Sequence, residues 1–143
     1  MRRAVLDPGV LVSALISPAG VPAALIAEVR DGGLELIVSP LLLAELEDVL
    51  GREKFRRYVD LETAHRYVEL LRREASPVPD PAGPPPLRCS DPDDDYLITL
   101  AHGQGAILVS GDRHLLDLAD RAPILAPADL LQTVQAQTEK ING

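Results

Sequence analysis

The sequence has very few aromatic residues and a single cysteine. Its 143 residues include one Phe, three Tyr and no Trp, so aromatic side chains make up only 3% of the chain. Proteins that hold single-stranded nucleic acid by stacking bases on aromatic rings need more of them, so this mode of recognition is disfavoured. Because Cys89 is the only cysteine, the chain can form neither an internal disulfide nor a thiolate metal cluster.

Long apolar runs are also missing. No stretch approaches the roughly 20 apolar residues that a membrane-spanning helix needs, and charges at Arg2, Arg3 and Asp7 come too early for a signal peptide. We therefore expect a cytoplasmic protein with no membrane contact. Hydrophobic residues nevertheless make up 46% of the chain, which is enough for one packed domain. We predict a single domain over residues 1–137, followed by a frayed tail at residues 138–143.

Positive charge is in deficit. The chain has 14 Lys and Arg against 22 Asp and Glu, for a formal net charge of −8, which counts against a nucleic-acid partner. The acids concentrate in residues 91–95, however, and bound divalent cations would reverse the local sign there. A basic run holds Arg52, Lys54, Arg56 and Arg57. It is most simply a solvated face, and the functional alternative is a flank that contacts phosphates.

Short apolar segments alternate with helical patterns along the chain. We predict strands near residues 4–6, 34–38, 77–78, 106–109 and 123–125. We predict helices near residues 10–16, 22–30, 40–50, 52–57, 60–73, 91–102 and 113–118, and from 128 onward. Between Ser76 and Leu87 six prolines require a mostly extended chain. This alternation predicts an α/β fold with a parallel sheet of four to five strands covered by helices on both faces.

Carboxylates recur at one edge of the predicted sheet. Asp7 directly follows the first strand, and Asp112 comes shortly after the strand near residues 106–109. Glu45 lies one turn into the helix after the second strand, while Asp91 and Asp94 stand at the amino end of a later helix. Ligands of open parallel sheets bind outside the carboxyl ends of the strands. We therefore expect these five side chains to lie close together.

Such a cluster predicts a site for a hard divalent cation. Carboxylates held together repel each other unless a cation binds between them, and Mg²⁺ or Mn²⁺ takes oxygen ligands. No His or Cys is expected among the acids, so zinc fits poorly. A metal held there would generate a hydroxide and stabilise an in-line phosphoryl transition state. We predict Asp7, Glu45, Asp94 and Asp112 as catalytic residues and, together with Asp91, as the metal ligands.

Ordinary structural roles remain open for several of these residues. Asp7 would suit a turn after a strand, whereas Asp91 and Asp112 would suit the caps of the helices that follow them. Asp93 and Asp95 are expected to be solvated, with Asp95 as a weaker alternative ligand.

Two neighbouring polar residues have modest expected roles. Ser110 could hydrogen-bond the carboxylates, although small polar residues at such turns usually bind the backbone. His114 is close to Asp112 in sequence, and it is expected to be at most a minor substrate contact.

At these residues the sequence resembles the PIN-domain family, in particular the bacterial branch of toxin components from toxin–antitoxin pairs (VapC-like ribonucleases). The motifs are Val10–Leu15 after the first acid, Ser39–Leu46, Asp91–Ala101 and Val109–Asp112, and the resemblance covers nearly the whole chain. It implies a three-layer α/β/α sandwich with endoribonuclease activity that depends on Mg²⁺ or Mn²⁺. It also implies an RNA substrate, a homodimer and an antitoxin protein that silences the enzyme.

The sequence departs from the family at the first motif. The family usually has Asp-Thr-Asn, where this chain has Asp7-Pro8-Gly9 and so lacks two polar side chains beside the acid. The second hypothesis is therefore a catalytically weakened PIN fold that only binds an antitoxin or RNA. Haloacid-dehalogenase-like phosphatases need a second Asp where Gly9 stands. Receiver domains need an acidic pair at the first strand and a Lys after a late strand, and neither is present here. Both of these protein classes are therefore disfavoured.

Overall fold

A computed structural model describes residues 2–85, 87–89 and 91–142, which form five strands and seven α-helices. The strands are β1 (Arg2–Leu6), β2 (Leu34–Val38), β3 (Ser76–Pro77), β4 (Ile107–Val109) and β5 (Ile124–Leu125). The helices are α1 (Pro8–Ile16), α2 (Val21–Arg30), α3 (Pro40–Leu50), α4 (Leu61–Glu74), α5 (Asp95–Gly103), α6 (Arg113–Leu116) and α7 (Pro127–Asn142). Two 3-10 turns cover Glu53–Phe55 and Pro92–Asp94.

The strands form one parallel sheet in the order β3-β2-β1-β4-β5. The central strand β1 is buried on both faces, and Ala4, Val5 and Leu6 are fully buried. This explains why the segment is continuously apolar rather than alternating. The helix α2 packs against β2, and α5 packs against β1 and β4. The predicted α/β fold, with a central parallel sheet flanked by helices, is confirmed.

The strand order reverses beside β1, which is where open α/β sheets have a ligand-binding crevice. The chain builds the sheet from β1 through β2 to β3 on one side and then returns to add β4 and β5 on the other. The carboxyl ends of β1 and β4 therefore lie at the point where the order reverses, which is where open α/β sheets bind their ligands.

The first helix begins earlier than the sequence predicts. We expected a turn at Asp7-Pro8-Gly9, but Pro8 is the first residue of α1 and Asp7 is its N-cap, accepting a hydrogen bond from the Val10 amide. Proline suits this position because its fixed φ matches the helix and the first amide needs no helical partner. Pro8 and Gly9 thus start the helix instead of preceding it.

Helix α4 is tied to the first helix by a buried tyrosine. The hydroxyl of Tyr67 donates a 2.6 Å hydrogen bond to the carbonyl of Leu11 in α1, and the α4 face around it is buried.

The last helix, α7, extends to Asn142, beyond the domain limit expected at residue 137. Fraying of the tail stays a prediction, and residue 143 lies outside the described residues. In the part of the chain that the structure describes, no single helix is long and apolar enough to cross a membrane. Only α1 and α2 taken together, bent by 95° at their junction, meet that test by length and composition.

Candidate metal centre

The five predicted acids surround the crevice at the carboxyl ends of β1 and β4. Asp7 follows β1, Asp112 precedes α6, and Glu45 lies in α3. Asp91 precedes the 3-10 turn before α5, and Asp94 is the last residue of that turn. The acids are close enough to affect the pKa values of shared neighbours. The charges of Asp94 and Asp112 both raise the pKa of Asp7, and those of Asp91, Asp94 and Asp112 raise the pKa of His114. The charges of Glu45, Asp94 and Asp7 raise the pKa of Tyr96.

Asp7 is the most deeply buried of these acids. Its side chain is 3% exposed, its Oδ1 accepts the 2.8 Å hydrogen bond from Val10, and its backbone amide donates to the Val109 carbonyl. Burial raises the pKa of Asp7 from 3.8 to about 6. The Ser110 hydroxyl and the Val10 amide oppose the rise, and the Asp112 and Asp94 charges add to it.

The second oxygen of Asp7 has no partner. Among the described residues, Oδ2 of Asp7 is buried without a hydrogen bond, and the Ser110 hydroxyl lies near enough to influence the carboxyl without bonding this atom. A buried, unpaired carboxylate oxygen is costly unless a ligand satisfies it. Because the oxygen lies in a cluster of like charges, the ligand that suits it is a cation.

A histidine accompanies the outer acids, which corrects the expectation that none would. Nε2 of His114 lies 2.6 Å from Oδ2 of Asp94, and this hydrogen bond raises the pKa of His114. Ligand atoms of Asp91, Asp94 and His114 all lie within 4.8 Å of one another, close enough to hold a metal ion. Carboxylates suit Mg²⁺ and Mn²⁺, whereas an imidazole is a ligand for softer ions such as Zn²⁺, so His114 weakens the argument against zinc.

Glu45 is held by a tyrosine that the sequence analysis did not identify. The Tyr96 hydroxyl donates a hydrogen bond to Oε2 of Glu45, joining α5 to α3 across the crevice. No pattern in the sequence pairs these residues, since they lie in different helices and far apart along the chain. The His114–Asp94 contact was equally invisible, although the nearness of His114 to Asp112 gave a hint.

Asp91 and Asp112 were both expected as possible helix caps, and the structure shows a side-chain cap only for Asp91. Asp91 does cap the 3-10 turn, because its side chain accepts a hydrogen bond from the Asp93 amide. The Asp112 side chain makes no capping hydrogen bond to α6. Its backbone amide donates to Oγ of Ser110, and its carbonyl accepts from the Leu115 and Leu116 amides. The exposed Asp112 carboxylate is therefore not used to cap α6.

Asp95 corrects a second expectation. We predicted a solvated side chain, but Asp95 is 7% exposed, and its Oδ1 accepts a 2.8 Å hydrogen bond from the Cys89 amide. Arg88 supplies a counter-charge 3.6 Å from Oδ2. Asp95 is buried because it fastens the end of the proline-rich segment to α5, and it is thereby withdrawn from the metal centre. Asp93 is exposed, as predicted.

The Pro8-Gly9 departure leaves Asp7 well ordered. The Val10 amide fixes Oδ1 without help from a side chain at position 8 or 9. A Cβ atom on Gly9 would lie 3.3 Å from that same oxygen, which is tighter than ordinary contact. The glycine therefore gives the carboxylate room.

Comparison with known proteins places the chain in a family. The model of the PIN domain matches residues 3–114, a range that includes all of β1 except Arg2 and all five candidate acids. The chain therefore belongs to the PIN-domain family.

Individual relatives agree with this assignment. The uncharacterised protein MJ1680 from Methanocaldococcus jannaschii is 28% identical over 118 residues, spanning 82% of this chain and 76% of the relative. The crystal structure of PAE2754 from Pyrobaculum aerophilum matches with a TM-score of 0.65 and 20% identity, covering 94% of this chain and 96% of that one. VapBC2 from Rickettsia felis, solved bound to a DNA fragment from its promoter, matches with a TM-score of 0.58 and 14% identity over 87% and 98% of the two chains. The structural matches confirm the fold.

Proposed function

We propose that this protein is an endoribonuclease that depends on Mg²⁺ or Mn²⁺ and acts as the toxin of a toxin–antitoxin pair. The observation that carries the catalytic part is the buried, unpaired Oδ2 of Asp7, since Asp94 and Asp112 act electrostatically on the same carboxyl and a cation would neutralise this group of acids. The toxin role is supported by the family and by the likeness to VapBC2. An RNA substrate, an antitoxin partner, a homodimer and a cytoplasmic location belong to the same proposal.

The side chains that would hold the metal are Asp7, Glu45, Asp91, Asp94 and Asp112. Once bound, the metal supplies an activated water and charge stabilisation for phosphodiester hydrolysis. The acidic residues have different roles in the site. Buried Asp7 provides a fixed oxygen at the floor of the crevice, and Asp94 is oriented by His114. In the described part of the chain Oε1 of Glu45 has no hydrogen bond, so it is available to bind the cation.

The experiment compares three Asp→Asn variants on a single-stranded RNA with Mn²⁺. Asp7→Asn and Asp94→Asn should each abolish cleavage, because asparagine keeps the shape of the side chain but loses the charge that holds the cation. Asp129→Asn, an exposed position in the first turn of α7, is the matched control and should cleave like the wild type. Equal loss in the control would contradict the assignment of the site.

The same assay separates the proposal from its rival. If the wild type binds Mn²⁺ but cleaves no RNA, the weakened PIN fold that only binds an antitoxin or RNA is favoured. Retention of the Asp7 carboxylate in an ordered, unpaired position supports the active enzyme. A binding module has no use for a buried charge that raises the free energy of its fold.

A further inference from the structure

Tyr96 occupies a central place in the metal centre. It lies on α5 two residues after Asp94, is partly buried, and donates its hydroxyl hydrogen to Oε2 of Glu45 on α3. A phenol is uncharged at neutral pH, so the hydroxyl is a neutral donor beside the Glu45 carboxylate.

An uncharged donor at this place has a specific effect. A glutamate side chain has several rotatable bonds, and ordering it costs conformational entropy. A lysine or arginine in the place of Tyr96 would order Glu45 but would also neutralise the cluster and compete with a cation. The phenol orders one carboxylate oxygen, leaves the negative charge intact, and leaves Oε1 for another ligand.

We propose that Tyr96 is a positioning residue, which holds the Glu45 carboxylate so that its free oxygen serves the metal centre. This inference rests on the proposed metal-dependent function. Helix α5 would then have two roles. It has Asp94 at its amino end, and through Tyr96 it orients Glu45 of α3.

The chain contains a matched control in Tyr67. Its hydroxyl is also buried and also donates to an oxygen, but the acceptor is the backbone carbonyl of Leu11. Removing the Tyr67 hydroxyl therefore breaks a structural hydrogen bond of comparable type without touching an acid. The pair Tyr96→Phe and Tyr67→Phe separates positioning of a ligand from general stability.

The test is Mn²⁺ affinity by isothermal titration calorimetry without RNA, together with thermal midpoints in EDTA. Tyr96→Phe should weaken Mn²⁺ binding by roughly 10–100-fold, as loss of a hydrogen bond to a ligand usually does, with little change in the EDTA midpoint. Tyr67→Phe should do the reverse, lowering the EDTA midpoint by roughly 2–4 °C and leaving Mn²⁺ affinity unchanged.

A double-mutant comparison with Glu45→Gln tests whether Tyr96 acts through Glu45. If Tyr96 acts through Glu45, adding Tyr96→Phe to Glu45→Gln causes no further loss of affinity, whereas independent effects would multiply. Unchanged Mn²⁺ binding by Tyr96→Phe, or a fully multiplicative loss in the double variant, would overturn the role of Tyr96 and leave the proposed function standing. Absence of Mn²⁺ binding by the wild type would overturn both.

Discussion

The inner and outer halves of the candidate metal centre are built in different ways. The inner half is Asp7, which is nearly inaccessible to solvent, is fixed by backbone groups of α1 and β4, and has an unpaired oxygen. The outer half is Asp91, Asp94 and His114, which lie on short elements and are partly or fully exposed. Its acids already have partners, since Asp94 binds the imidazole and Asp91 caps a turn.

The two halves therefore differ in how much their charges destabilise the metal-free fold. The inner acid is held by the central sheet and cannot move away from its surroundings, so its charge destabilises the metal-free fold. The outer acids are solvated or hydrogen-bonded, so their charge costs the fold little. Strongly shifted groups in a crevice mark functional sites for this reason, and stability and activity should conflict at Asp7 in particular.

The largest expected effect is on the stability of the metal-free protein. At neutral pH, Asp7→Asn should raise the free energy of unfolding by up to about 3 kcal/mol, because a pKa raised from 3.8 to about 6 corresponds to that destabilisation of the charged form. Asparagine is also a good N-cap, so the bond from Val10 is kept. Urea denaturation in EDTA at pH 7.5 measures the difference.

The pH dependence of stability tests independently whether the Asp7 charge destabilises the fold. The folded state keeps the Asp7 proton up to about pH 6, whereas the unfolded chain loses it near pH 4. The contribution of Asp7 to stability is therefore full below about pH 4 and is lost as the pH rises to 6. The gain from Asp7→Asn should grow over that window and then level off. Asp129→Asn, at an exposed acid in the first turn of α7, is the control, and equal curves for the two variants would break the comparison.

The next effect is stabilisation by metal. Mn²⁺ at about 100 times its dissociation constant should add about 2.7 kcal/mol to the free energy of unfolding, raising the thermal midpoint by roughly 5–10 °C. Differential scanning fluorimetry in EDTA and in Mn²⁺ measures the shift for the wild type and Asp7→Asn. The variant should start from a higher midpoint and gain almost nothing. A shift with Zn²⁺ alone would redirect the choice of metal.

The smallest effect concerns the outer half. His114→Gln should weaken Mn²⁺ binding by roughly 10-fold, because Asp94 loses the group that orients it. His102→Gln, at an exposed histidine of α5, is the control and should bind normally. Titration with both ions sharpens the result, since a larger loss for Mn²⁺ than for Mg²⁺ indicates direct ligation by the imidazole, and equal losses indicate orientation alone. Full affinity for both ions would remove His114 from the site.

Much of the fold and the inner half of the site could be predicted from the sequence. Short apolar segments alternating with helices imply a parallel sheet, and an acid directly after the first strand must then lie at its carboxyl edge, as Asp7 does. The Pro8-Gly9 pair was misjudged because the same dipeptide suits a turn and the first turn of a helix. The hydrogen bonds from Val10 to the Asp7 side chain and from Leu11 to the Asp7 carbonyl show that the helix begins here.

The contacts between side chains could not be predicted. Tyr96 meets Glu45, and His114 meets Asp94, because α3, α5 and α6 pack around one crevice, and no local spacing encodes that packing. The burial of Asp95 has the same origin, since its partner is the Cys89 amide at the end of the proline-rich segment. Sequence patterns placed acids at the rim of the sheet, whereas tertiary packing determines which partners they have.

The strand order also determines when during synthesis the site can be completed. On one side β1 pairs with β2, which the ribosome makes soon afterwards, but on the other side it pairs with β4, from the last third of the chain. The amide of Asp7 has its partner carbonyl at Val109. Asp7 is therefore made well before β4, and its position is fixed only once that later strand is present. A nascent or truncated chain that ends before β4 carries the acids of α3 and the Asp7 carboxylate without the framework that brings them together.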